Sequence, residues 1–446
     1  MGPFLSGIQV IGGPLPIVVD VIAGVSAAWL AVRFLPRGRR VRWGITVVLA
    51  LFLGAGIGFL ICWVVGDLAN AFDVTLSVAS RVWVAVALAG IALAVANLRR
   101  SRPVRKATAV VSIVSFALLG AVGVNADFGQ YPTLASFVGA SSFADLPDSV
   151  LAAQRLHAGS APSTELPLWN TWKAPADLPV KGLLGAVTIP STVSHFAARQ
   201  ALVYLPPAAL IANPPTLPVL VMLSGQPGGP QDIFLAGHLN AVMDKLAAEN
   251  GGLGPIVVVP DQLSARNVNP MCVDGPIGNS ATYLTVDVPA WIKANLNVQT
   301  ATAAWGIGGF SEGGTCAIQL GGAHPDLFGS IMNISGEIEP KIGSPDVTIR
   351  KGFSGDVAAY NAAKPLSVIA KHAPFANTVG IFGVGKLDAK YTPWIATVAA
   401  AAKAAGIHTT VLASPRTAHD WYTVRYVFEH GLPIIYAQMG LMRPSP

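Results

Sequence analysis

Four long apolar stretches open the chain, and a different pattern follows them. The stretches cover residues 16–35, 43–65, 78–98 and 107–124, each near the ~20 residues that cross a bilayer as a helix. One such run could be a secretory signal, but four in series with no small-residue cleavage pattern predict retained spans. Residues 125–178 are rich in Pro, Ser and Ala and carry no long period, which predicts a linker with short ordered pieces. From Val180 onward, short apolar runs at 201–205, 217–223, 256–259, 303–307, 331–334, 379–384 and 409–412 read as strands. Helical spacing lies between them, as at 233–248. Buried strands alternating with helices predict a parallel sheet covered on both faces. The expected organisation is a four-helix transmembrane domain at 1–124, a linker at 125–179 and an α/β domain at 180–446.

Charge orients the spans. Arg37, Arg39, Arg40 and Arg42 fill the first connection, and Arg99, Arg100, Arg102, Arg105 and Lys106 the third, whereas the second carries Asp67 and Asp73. By the positive-inside rule the first and third connections face the cytoplasm, which leaves everything after about Val124 outside. The pI of about 9.3 would otherwise suggest nucleic-acid binding. Up to residue 124 there are 11 Lys and Arg against 3 Asp and Glu, and afterwards 18 against 20. Topology therefore accounts for the net +6; lipid is the expected partner and nucleic acid is not. Asp20, about one turn inside the first span, reads as an interfacial carboxylate, with a functional role as the alternative. The segment from Leu166 to Trp172, with two tryptophans, suits either the headgroup level or packing on the outer domain.

The densest chemical signal is Trp305-Gly306-Ile307-Gly308-Gly309-Phe310-Ser311-Glu312-Gly313-Gly314. A G-x-S-x-G pentapeptide between a strand and a helix puts a serine hydroxyl on a sharp, exposed turn. Such a nucleophile needs a base and an orienting carboxylate, which follow in the order Ser, Asp or Glu, His. Of the later histidines, His324 reads as a helix terminator, His408 opens a strand and His430 follows the last helix. His419, in the loop after the strand near Val411, is the expected base. Asp388, after the strand at 379–384, is the expected acid, with Glu337 as its rival and Asp420 as a solvated or capping residue. The oxyanion donors are expected to be the backbone N–H groups of Glu312 and Gln226, the latter in Ser224-Gly225-Gln226-Pro227-Gly228-Gly229. The Glu312 side chain is expected to face solvent or a basic neighbour.

Cys272 and Cys316 both fall in the outer part and could form one disulfide in an oxidising compartment; alternatively Cys316 is a small buried side chain. No histidine pair or cysteine cluster has metal-ligand spacing, and the glycine-rich segments lack the dinucleotide and phosphate-loop signatures. No metal or cofactor is expected.

These residues resemble the putative esterase family of the α/β-hydrolase superfamily, which includes esterase D and the secreted mycolyltransferases of mycobacteria. The resemblance rests on Leu223-Ser224-Gly225-Gln226, on Gly309 to Gly314, on His324-Pro325-Asp326-Leu327-Phe328 and on His419-Asp420-Trp421, and covers about Val180 to Gly440. The apolar amino-terminal part looks like that of membrane-anchored actinobacterial members. The resemblance implies an α/β-hydrolase fold with nucleophile Ser311, base His419 and acid Asp388. Ser224-Gly225 stands where relatives commonly have His-Gly, and the acid is matched by order alone. The expected function is an extracytoplasmic serine esterase or acyltransferase at the plasma membrane, acting on ester-linked lipid or envelope substrates. The alternative is a non-catalytic binding module on a membrane platform.

Overall fold

The computed structural model describes residues 2–70, 73–99, 101–159 and 167–443. Arg100 of the third connection and Leu166 at the head of the tryptophan segment lie outside the described residues. The chain divides into two compact units, Met1–Ser142 and Phe143–Pro446.

The first unit holds four helices long and apolar enough to cross a membrane: α1 Pro14–Ala31, α2 Arg37–Cys62, continued by a wider turn over Trp63–Leu68, α3 Val78–Leu98 and α4 Pro103–Phe128. Pro36, before α2, and Pro103, at the start of α4, set their first turns, since proline needs no N–H partner there. The arginines from Arg37 to Arg42 therefore lie in the first turns of α2 rather than in a loop. Helices α2 and α3 meet through small residues. A Cβ added at Gly54 would lie 2.5 Å from the Leu88 carbonyl oxygen, and one at Gly58 2.6 Å from Ala85 Cα. This four-residue spacing of glycines lets two backbones touch. Large apolar side chains such as Phe52 (75% exposed) and Val111 (68%) point outward. Asp20 is exposed on α1.

The second unit is built on an eight-stranded sheet: β1 Leu183–Val187, β2 Ala201–Leu205, β3 Val219–Leu223, β4 Ile256–Val259, β5 Trp305–Phe310, β6 Ser330–Ile334, β7 Val379–Gly385 and β8 His408–Ser414. Their order is β1-β2-β4-β3-β5-β6-β7-β8. The β1–β2 and β2–β4 pairs are antiparallel and the rest parallel. Strands β2 to β6 are buried throughout because helices cover both faces, whereas Val411 on the edge strand β8 is 54% exposed. This is the mostly parallel, covered sheet the alternation predicts, in the α/β-hydrolase arrangement the resemblance implies.

Boundaries moved where local backbone chemistry outweighed the apolar pattern. The helix expected at 233–248 is broken into Pro230–Leu235 and α5, Leu239–Glu249, because His238 sits at φ 55°, outside the helical region. His430 lies inside the last helix rather than after it. The expected linker is divided between the units: α4 runs on to Phe128 in the first, and from Phe143 the chain packs with the second. There the Ala186 N–H donates to the Ala144 carbonyl at 2.9 Å, and Trp172 donates its indole N–H to the Gly251 carbonyl at 2.8 Å. Of the two settings open to the tryptophan segment, the described part takes packing on its own unit. Residues 338–375 fold as three short helices, and Phe353 and Tyr360 of that stretch pack with Met271.

Candidate active site

Ser311 stands between β5 and the helix α6, Glu312–Ala323, at φ 57° and ψ −120°. That conformation is costly for a residue with a Cβ and persists only where the surroundings over-determine it. Here its N–H donates to the Ile334 carbonyl of β6 at 2.8 Å. The two flanking glycines are sterically required. A Cβ at Gly309 would lie 2.3 Å from the Gly313 carbonyl oxygen, and one at Gly313 2.4 Å from those of both Leu223 and Ser224.

The structure brings Ser311, His419 and Asp388 together. His419 Nε2 lies 2.9 Å from Ser311 Oγ, and Nδ1 lies 3.1 Å from Asp388 Oδ2. All three are buried, each less than a tenth exposed. The other Asp388 oxygen accepts from the Tyr391 N–H at 3.1 Å. The loops after β7 and β8 are tied by Lys386 N–H to the Ser414 carbonyl and Leu387 N–H to the Thr417 carbonyl, both 2.9 Å. The imidazole packs against the rings of Tyr391 and Phe310, with centroids at 4.1 Å and 4.9 Å. These contacts leave the ring little freedom to turn from the serine.

The rival carboxylates are engaged elsewhere. Glu337 accepts from the Thr315 hydroxyl and donates its N–H to the same oxygen at 2.8 Å. Asp420 caps α7, Trp421–Gln438, by accepting from Thr423 N–H at 2.8 Å and from Ala418 N–H at 2.7 Å. Burial pushes its carboxyl above the usual range. His324 caps α6, its N–H donating to the Leu320 carbonyl at 2.9 Å.

The segment after β3 runs beside the nucleophile: a Cβ at Gly225 would be 3.4 Å from Ser311 Cβ. Gln226 follows it, half-buried and joined to Pro227 by a cis peptide bond. Farther along, Gly229 N–H donates to Asp232 at 3.1 Å. Arg199, which grips the buried Asp261 at 2.7 Å and 2.9 Å, donates to the Gly228 carbonyl at 3.1 Å. Glu312 opens α6, and a first helical N–H has no partner within its helix. Its side chain departs from the expected exposure. It is buried, with Oε2 accepting from Gln262 Nε2 at 3.1 Å and Oε1 2.9 Å from Cys316 Sγ. Burial pushes the Glu312 carboxyl up to about 8, against the opposing Gln262 hydrogen bond, with Glu337 and Asp261 adding to the rise.

Cys272 and Cys316 are joined as a disulfide, with Cα atoms 5.4 Å apart. Together with Glu312 they form a group of metal-ligand type, all ligand atoms within 4.8 Å of one another. With both sulfurs bonded to each other, no thiolate is on offer there.

Sequence reasoning missed Gln262, Arg199 and Tyr391. Gln262 had a usable signal: Pro260-Asp261-Gln262 ends a strand on the same edge of the sheet as the serine.

Residues 197–414 match the sequence model of the family described as "Putative esterase". An uncharacterised protein of Corynebacterium glutamicum is 33% identical over 268 residues, covering 60% of this chain and 59% of that protein. Among solved structures, a ferulic acid esterase aligns with TM-score 0.50 and 19% identity over 59% of this chain and 100% of that one. An S-formylglutathione hydrolase of Agrobacterium tumefaciens aligns with TM-score 0.48 and 21% identity over 58% of this chain and 97% of its own.

Proposed function

From the match of residues 197–414 to the putative esterase family we propose that the protein is a membrane-anchored serine ester hydrolase or acyltransferase of the α/β-hydrolase type whose second unit works outside the cytoplasm. The observation that carries the chemistry is the contact of one imidazole with both Ser311 Oγ and Asp388. His419 Nε2 accepts the Ser311 proton as Oγ attacks the ester carbonyl. Asp388 holds the ring in the tautomer that leaves Nε2 free and stabilises the imidazolium. The backbone N–H groups of Gln226 and Glu312 receive the oxyanion, the term that most lowers the barrier in acyl transfer. The tetrahedral intermediate then collapses, the alcohol leaves with the proton from His419, and an ester to Ser311 remains. Water, or the hydroxyl of an acceptor, attacks that ester with His419 again as base.

The outside location is supported by the arginine-rich ends of α1 to α4 and by the disulfide, which suits an oxidising compartment. A unit tethered by four spans stays at one membrane surface, which favours esters of outer-leaflet lipids or of the cell envelope as substrates. The deciding experiment is labelling with a fluorophosphonate alongside turnover of an activated ester. Wild type should label and turn over, and Ser311→Ala should do neither. Folded wild-type protein that takes no label would replace the enzyme reading with the binding-module one.

A further inference from the structure

The carboxyl ends of β4, β3 and β5 lie side by side in the sheet, and one buried side chain spans all three. Gln262, three residues past β4 and fully buried, donates from Nε2 to the Ser224 carbonyl at 2.5 Å and to Glu312 Oε2 at 3.1 Å. Ser224 is the first residue past β3 and leads into Gly225 and Gln226; Glu312 is the first residue past the nucleophile. A single carboxamide NH2 group therefore joins the two segments whose N–H groups are proposed to hold the oxyanion.

Its orientation is fixed. Gln262 Oε1 has no hydrogen-bond partner among the described residues, and turning the amide over would set that oxygen against the Ser224 carbonyl oxygen, two acceptors with no proton between them. The Glu312 carboxyl is confined from the other side as well, Oε1 packing 2.9 Å from Cys316 Sγ and 3.7 Å from Cys272 Sγ of the disulfide. A bond on the Ser224 carbonyl sets the plane of the Ser224–Gly225 peptide, one peptide before the one that carries the Gln226 N–H, and a bond on the Glu312 carboxyl limits rotation of the residue that supplies the second donor. Oxyanion donors act through preorganisation, and their effect depends on aim to a fraction of an ångström.

We propose that Gln262 is a positioning residue of the oxyanion hole, setting the separation and direction of its two donors from the end of β4. The proposal rests on the ester-hydrolase reading and deepens it. Gln262 touches no reacting atom; it acts through Ser224 and Glu312.

The test compares full-length wild type with Gln262→Met, which keeps the side-chain length without the donor, and with Gln262→Ala. Active sites are first titrated with a fluorophosphonate, so that misfolded molecules drop out of the count. Per titrated site, Gln262→Met should lower kcat on an activated short-chain ester by about 10- to 100-fold, with KM within about twofold. Affinity for a trifluoromethyl ketone, which forms an oxyanion on Ser311, should fall by the same factor. Unchanged kcat per titrated site, a change in KM alone, or undiminished ketone affinity would each overturn the proposal while leaving a labelled, active wild type. A wild type that takes no label would instead sink the ester-hydrolase reading.

Discussion

Ser311, His419 and Asp388 come from the ends of three different strands, so each is tested by replacing it in place. His419→Ala should lower ester turnover per folded molecule by several orders of magnitude, as removal of a triad base does. Asp388→Asn should cost about 10³- to 10⁴-fold, because an amide favours the wrong imidazole tautomer. Glu337→Gln, whose carboxylate is bonded to Thr315, should cost far less. Steady-state kinetics of both variants decide the acid, and a larger loss in the second would move that role to Glu337. Glu312 adds a pH effect on stability. Its carboxyl is raised to about 8 in the fold against about 4.3 in an unfolded chain. Between those values the unfolded chain has released a proton that the native protein keeps, so the native contribution falls as pH rises and levels off above about 8. Besides Gln262 and the disulfide, the charged groups facing it are Glu337 and Asp261. The advantage of Glu312→Gln over wild type in thermal midpoint should therefore grow from pH 5 to pH 8; a difference flat across that range would mean the carboxyl is already ionised.

At the scale of elements, the disulfide joins a loop between β4 and β5 to the nucleophile helix across 44 residues of chain. Closing a loop of that length is worth about 3–4 kcal/mol in the chain-entropy account. Reduction, or Cys272→Ser, should lower stability by about 2–4 kcal/mol by denaturant titration, and a change under 1 kcal/mol would show that the loop is held by packing alone. The strand-turn-helix around Ser311 was legible because Gly309 and Gly313 are the residues that backbone contact demands. The break at His238 was not legible. Apolar spacing runs through 233–248 unbroken, and a left-handed residue between two helices leaves no mark on hydrophobic periodicity. His430 was misplaced because the last helix, α7, runs on past it and through Pro433 to Gln438.

For the molecule as a whole, the proposed topology puts the acidic second connection and the basic third on opposite sides of the membrane. An impermeant thiol reagent applied to intact cells should modify Asn70→Cys and spare Arg102→Cys; the reverse pattern would invert the protein and put the second unit inside. Residue types along the chain were enough to settle the number of long apolar helices, the alternation of strand and helix, and the elbow serine, because each follows from short-range periodicity or local backbone sterics. The identity of the charge partners was not, since one carboxylate among Asp388, Glu337 and Asp420 is chosen only when β7 and β8 lie side by side and bring their loops into contact. The fate of the Glu312 side chain and the bridging place of Gln262 belong to the same class. They depend on the strand order β4-β3-β5, a long-range pairing that sets residues 38 and 50 positions apart against one another and leaves no local trace.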